Sequence, residues 1–192
     1  AVADMLAWDT YEAYHYVRLQ PLSDDVASLQ YRTKGIQHCP IIVRTRGHRL
    51  EGIWHSGSPM GMIINSLRGI NVCVPRNMVQ AAGMYNTLLQ ANEPALVIES
   101  LNGYRLKEKL PANLETLTVP LGVPEVLHQG DDVTLVTYGS MTRIAEEAMV
   151  TLGELGVSCE LIDVQTLLPF DIDHSIVKSL QKTNRILFID ED

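Results

Sequence analysis

The sequence has no apolar run approaching the roughly 20 residues needed to span a bilayer, and no basic leader. Its opening, Ala1-Val-Ala-Asp-Met-Leu-Ala-Trp8, carries an acid where a signal peptide carries positive charge. These lacks predict a soluble, cytoplasmic protein without a membrane role. Cations are also in the minority. Fifteen Lys and Arg stand against 23 Asp and Glu, a net charge of −8 with no basic stripe, so the electrostatic footprint of a nucleic-acid binder is missing. Cysteine is scarce and odd in number. Cys39, Cys73 and Cys159 sit in apolar, strand-like runs without a CxxC pair, so buried free thiols are expected rather than a disulfide framework or a zinc site. A dinucleotide fingerprint is absent as well, because nothing Gly-rich follows Tyr138-Gly139-Ser140 and no acid is placed for a ribose.

What the chain does have is 46% hydrophobic residues over 192 positions, enough for a substantial core in one large or two small domains. From about Cys39 onward, short Val- and Ile-rich runs alternate with segments of helical period. That is the pattern of an α/β protein, a parallel sheet covered by helices. Strands are expected at Pro40-Ile-Ile-Val-Arg44, Asn71-Val-Cys-Val-Pro75 and Ala95-Leu-Val-Ile-Glu99. Helices are expected at about Met60 to Leu67, ended near Gly69, and at about Met78 to Gln90, capped by Asn77. Residues 106–130 break the rhythm with Pro111, Pro120, Pro124, Gly122 and Gly130, and read as a linker running into a first strand. The pattern then restarts as a smaller α/β unit. Its strands are Asp132 to Tyr138, Ser158 to Asp163 and Arg185 to Ile189; its helices are Arg143 to Leu155 and about Ile172 to Leu180. The expected domains are residues 1–118 and 119–192, the second ending on a strand in the manner of a truncated unit.

The densest polar stretch runs from Arg44 to Pro59, leaving a buried strand and entering a helix, and in parallel sheets ligand sites gather at such carboxyl ends. Within it His55 is the first candidate for chemistry. Its imidazole, with a reference pKa near ~6.5, exchanges a proton at neutral pH, and the apolar Ile53 and Trp54 would shift it by desolvation. The other reading is a histidine where the chain enters a helix, bonded to nearby backbone. His48, between Arg46 and Arg49, reads as a solvated loop residue or an anion contact. The two histidines lack the i, i+4 spacing of a helical metal pair, so no metal ligand is assigned. Asp163, before Leu167-Leu-Pro-Phe-Asp171, reads as a capped turn fixed by Pro169. Met60, Met62, Met78 and Met84 read as core packing. His15, His128 and His174 receive no role.

With these segments in place, the chain resembles the β subunit, or the C-terminal half when the subunits are fused, of the decarboxylating component of 2-oxo acid dehydrogenases, in the transketolase-like superfamily. The matching pieces are Leu29-Gln-Tyr-Arg-Thr33, Pro40 to Arg44, His55-Ser-Gly-Ser-Pro59, Gly69 to Pro75, Glu93 to Glu99 and Tyr104-Arg105. They continue through Val119-Pro-Leu-Gly122, Asp132 to Gly139, Ile162 to Asp171 and Lys182-Thr-Asn-Arg-Ile-Leu187, in order over about residues 24–192. The resemblance implies the later part of a pyrimidine-binding domain followed by the start of a transketolase C-terminal domain. It implies thiamin diphosphate and Mg in the complete enzyme, and a monovalent cation held by backbone oxygens around Cys39 to Ile42 and Leu88 to Glu93. Implied partners are an α-type subunit or domain, the lipoyl domain of the acyltransferase component, a 2-oxo acid substrate and further copies of the chain in a homo-oligomer. His55 matches the family histidine at the mouth of the thiamin site, where a proton donor is needed as charge develops on the carbonyl oxygen and the dithiolane opens. Tyr14, by its spacing to Tyr31, falls where the family packs an aromatic beside the cofactor's pyrimidine.

Three departures from the family pattern matter. Gly57 stands where Gln is usual, and the loop from Arg46 to Gly52 carries extra Arg and Glu in place of Gly. The glutamate that activates thiamin belongs to a segment before any alignable part, since Glu12 lies in a context that does not fit. No Gly-Asp-Gly motif with a following Asn is present to hold diphosphate and Mg, so the chain is expected to be inactive alone. Two rivals remain open: ketol transfer of the transketolase or deoxyxylulose-phosphate synthase type, and a non-catalytic assembly module.

Overall fold

The computed structural model describes residues 5–7, 20–48, 60–100 and 102–190. They form an α/β arrangement of two sheets. The strands in chain order are β1 (Met5–Ala7), β2 (Ile42–His48), β3 (Asn71–Cys73), β4 (Ala95–Ser100), β5 (Glu125–His128), β6 (Val133–Thr137), β7 (Cys159–Asp163), β8 (Thr166–Leu168) and β9 (Ile186–Phe188). The helices are α1 (Leu29–Arg32), α2 (Met60–Ser66), α3 (Met78–Leu88), α4 (Met141–Glu154) and α5 (Ser175–Thr183), with a π-helical turn at Pro21–Val26 and a 3-10 turn at Asn102–Arg105.

The first sheet has the order β1-β2-β4-β3-β8, parallel except for β8, which runs antiparallel to β3. β4 lies between β2 and β3, so both its edges are paired, and apolar clusters cover both its faces. Its six residues are all buried, which is why it reads as an apolar run rather than an alternation. Successive β4 side chains serve opposite faces. Leu96 and Ile98 join a core with Val43, Met60 and Val72, while Ala95 and Val97 pack with Ile42, Met84 and Leu88 under α3.

The second sheet has the order β5-β7-β6-β9, with β5 antiparallel and the rest parallel. Val136 and Ile162 from one face of it belong to the same core as Leu96 and Ile98, so the two sheets share a hydrophobic interior. Leu135, Cys159 and Leu161 on the opposite face pack with Ala145 of α4. Gly130 enters this sheet where no side chain fits: a Cβ there would lie 2.1 Å from the carbonyl carbon of Cys159.

Local physics explains where the elements begin. Asn77 accepts a hydrogen bond from the Gln80 amide and so caps α3 as expected. α5 starts at Ser175, three residues later than the apolar period suggests. Asp171 and His174 take left-handed backbone conformations, and the Asp171 carboxylate then accepts the Ser175 and Ile176 amides. β2 runs on through His48 instead of stopping at Arg44, because it pairs with β4 as far as Ser100 across a register shift. β8 was not expected. Its three residues follow the left-handed Gln165 and pair with the first sheet, where the sequence pattern reads as a turn. Cys73 and Cys159 are buried free thiols, with Cys73 pushed up to about 12 by burial, whereas Cys39 is only half-buried.

Candidate functional site

The polar cluster placed for chemistry in the first sheet surrounds Glu99, the penultimate residue of β4 and 2% exposed. Glu99 and Arg44 project on the α3 side of the sheet, and Arg44 Nη2 donates to Glu99 Oε2 at 2.7 Å. Tyr85 of α3 donates its hydroxyl to Oε1, and Tyr104 in the turn after β4 donates to Oε2. Three donors from three elements thus satisfy both oxygens of one buried carboxylate. The same contacts act on the donors. The bond to Glu99 raises Arg44, and burial followed by the bond to Glu99 raises both phenols above the ordinary tyrosine range. The site lies at the carboxyl end of a parallel strand, beside β2, which precedes His55 in the sequence.

A second cluster joins the sheets. Asp163 at the end of β7 is fully buried, and its Oδ2 accepts Arg76 Nη1 at 2.7 Å and Gln80 Nε2 at 3.0 Å. Arg76 Nη1 also reaches Glu125 Oε2 at 2.7 Å. Burial raises the Asp163 pKa against the pull of Arg76 and Gln80. Burial acting alone would lower Arg76, but its two carboxylate bonds hold it above its usual value. A pocket of about 330 Å³ opens beside this cluster, with Val79, Pro120 and Pro124 among its walls.

His55, Tyr14 and Glu12 lie outside the described residues, as does the whole segment 49–59. Arg46 and His48 have their backbones in β2, so the first part of the polar stretch is strand rather than loop. Of the two segments expected to hold a monovalent cation, the first lies at the amino end of β2, where the Ile41 carbonyl accepts the amide of Ala95, two residues beyond the second segment, at 2.9 Å. Among the described residues no group of three His, Cys, Asp or Glu is placed to hold a metal, and no helix is long and apolar enough to cross a membrane. The first-turn amides of α3 are taken: Glu108 accepts Met78 N at 3.2 Å and Val79 N at 3.1 Å. The described residues therefore do not fit a Mg-diphosphate group.

Sequence reasoning missed the Glu99 and Asp163 clusters. The available signal was a set of polar residues inside apolar strands. Glu99, Glu160 and Asp163 all interrupt runs that would otherwise be wholly hydrophobic, and a buried charge needs a partner.

Residues 122–192 match the family described as transketolase, C-terminal domain. The β subunit of acetoin:2,6-dichlorophenolindophenol oxidoreductase from Bacillus subtilis (strain 168) is 35% identical over 168 residues, covering 86% of this chain and 48% of that one. The 2-oxoisovalerate dehydrogenase subunit beta of the same organism is 30% identical, covering 88% and 51%. Its pyruvate dehydrogenase E1 component subunit beta is 29% identical, covering 92% and 54%. The chain thus spans about half the length of the curated relatives it matches. Among solved structures, a split-gene transketolase in an inactive β4 tetramer superposes with a TM-score of 0.77 at 20% identity, over 97% of this chain and 57% of that one. At that identity the likeness establishes the fold.

Proposed function

We propose that the chain is the β-type portion of a thiamin-diphosphate-dependent dehydrogenase, because residues 122–192 match the transketolase C-terminal domain and most of the chain is similar to β subunits of 2-oxo acid dehydrogenases and of an acetoin oxidoreductase. The observation that carries this reading is the sequence identity to these β subunits, which extends over 86–92% of the chain. The reaction is oxidative decarboxylation of a 2-oxo acid, with the acyl group passing to a lipoyl domain. Acetoin joins pyruvate and branched-chain 2-oxo acids as a substrate to test, because the relative named for it is the 35% identical one.

Thiamin diphosphate supplies the carbanion chemistry in the complete enzyme. Its diphosphate and Mg are assigned to an α-type partner, in keeping with the absence of a fitting site among the described residues. His55 is assigned the proton donor's role at the carbonyl oxygen, and Tyr14 the packing surface for the pyrimidine. Arg44, Glu99, Tyr85 and Tyr104 fix the strand that precedes His55 in the sequence. A monovalent cation is assigned to backbone oxygens around 39–42 and 88–93. A cytoplasmic homo-oligomer of β-type chains paired with α-type subunits completes the reading.

The test is reduction of 2,6-dichlorophenolindophenol by the full-length β chain reconstituted with an α subunit, offered each substrate in turn. Ketol transfer between sugar phosphates would favour the transketolase reading, and neither activity would favour an assembly module. In the active reconstituted enzyme, His55→Ala is expected to lower the lipoyl-dependent rate about 100-fold or more while leaving cofactor binding intact. Equal lipoyl-linked turnover in mutant and parent would return His55 to a structural role.

A further inference from the structure

The chain passes from the second sheet into the first through a single residue in a conformation that side chains avoid. Gln165 follows β7 with φ +64 and precedes β8, the antiparallel strand at the edge of the first sheet. All four of its polar groups are bonded. Its N–H donates to Asp163 Oδ1 at 3.0 Å, its carbonyl accepts Val74 N at 2.9 Å, its Oε1 accepts Gln80 Nε2 at 2.6 Å, and its Nε2 donates to the Val123 carbonyl at 2.7 Å. A residue held this way in a sparsely populated backbone region persists only while its surroundings over-determine it.

β8 is held by Leu167 in the shared core and by Thr166, whose hydroxyl accepts the Gly122 amide, but its pairing with the sheet is brief. It is three residues long and makes two register pairs with β3, Val72 with Leu168 and Cys73 with Thr166, separated by a register shift. Strands that short are not stable without tertiary support. Part of the support comes from Arg76, which follows β3, and Gln80 of α3, which bind the buried Asp163 of the second sheet. Arg76 has a second partner in the half-exposed Glu125, so it keeps one ionic bond if it lets Asp163 go. The pocket of about 330 Å³ bordering Arg76, Gln80 and Gln165 gives the released side chains room to move.

We propose that Arg76, Gln80, Asp163 and Gln165 form a clasp between the sheets, and that its opening releases β8 from β3 while each sheet stays folded. The closed form has strained backbone and a desolvated carboxylate offset by charge-assisted hydrogen bonds. The open form relaxes Gln165, hydrates Asp163 and leaves Arg76 on Glu125. Two such arrangements of one cluster make a bistable element, the requirement for a conformational switch.

Hydrogen exchange on the full chain tests this. The reporters are the amides of Val74 and Gly122, which bond to Gln165 and to Thr166 of β8, and that of Leu168. The controls are Leu135 and Ile162 in the second sheet. Arg76→Met keeps the apolar stem and removes the charged donor; it is expected to speed the reporters at least 10-fold and leave the controls unchanged. Asp163→Asn keeps the shape and weakens the Arg76 bond, so it should speed the same amides by a smaller factor and serves if the first variant does not fold. Equal acceleration of reporters and controls would reduce the cluster to a contributor to global stability and overturn the proposal. So would unchanged reporters, or failure of both variants to fold.

Discussion

Two buried glutamates, one in each sheet, are treated very differently by their surroundings. Glu99 is 2% exposed near the carboxyl end of β4, and both its oxygens are bonded by donors from β2, α3 and the turn after β4. Glu160 is 1% exposed near the amino end of β7. Lys182 of α5 bonds its Oε2, and its Oε1 has no hydrogen-bond partner among the described residues. Lys182 is itself partly exposed and shares its ammonium with Gln129 at 3.1 Å. The contrast separates two ways of tolerating a buried charge. Around Glu99 every oxygen is answered, which specifies an arrangement of three elements; around Glu160 the charge is compensated but half its hydrogen-bonding capacity is wasted. The specified cluster lies at the end of the sheet where ligand sites gather, and the compensated one lies at the other.

The comparison is broken most directly by removing the carboxylate that is fully answered. Glu99→Ala leaves three donors without an acceptor, two of them phenols in a part-buried setting, and is expected to cost about 3–5 kcal/mol in urea unfolding. A cost under about 1 kcal/mol would mean that the cluster specifies nothing. In the second sheet the vulnerable partner is the cation. Lys182→Met strands the Glu160 charge and should cost about 2–3 kcal/mol, whereas Glu160→Gln should fall within about 1 kcal/mol of the parent, because the lost ion pair is offset by a smaller desolvation penalty. If Glu160→Gln proves as damaging as Glu99→Ala, the two sites are equivalent and the contrast fails.

The smallest effect is a pH dependence that belongs to one sheet alone. Burial and Glu99 raise the Tyr85 pKa above its ordinary 10, so above that pH the unfolded chain sheds a proton that the folded chain keeps. The folded state then binds more protons than the unfolded one, and stability falls as pH rises beyond about 10. Tyr85→Phe should flatten part of that fall in thermal unfolding measured from pH 9 to 11. An unchanged slope would place the proton elsewhere.

Much of the architecture was legible because it rests on periodicity. The apolar runs at 95–100 and 133–137 are buried on both faces or one, and Asn77 caps α3 through its own side chain, a local interaction that sequence displays. What escaped was non-local. β8 is a strand only because β3 offers it an edge, and its own three residues carry no period. Arg76 and Asp163 are 87 positions apart, and nothing in either neighbourhood announces the other. Arg44 and Glu99 were each assigned to the right strand, yet their pairing depends on a register that the residues do not encode locally. The candidate His55 came from a resemblance and from loop chemistry, and it lies outside the described residues.

The carboxylate of Glu108 at the start of α3 has a consequence for competition among anions. A helix beginning just beyond the carboxyl end of a parallel strand would ordinarily draw phosphate to its free amides. Here the Met78 and Val79 amides already bond an acid of the same chain, about 30 residues on. Tethering makes that acid an intramolecular ligand, with an effective concentration on the order of millimolar. A phosphate in solution meets the helix as a weak rival to a resident that never diffuses away. The chain carries its own competitive inhibitor at that helix, so free phosphate finds those amides already engaged.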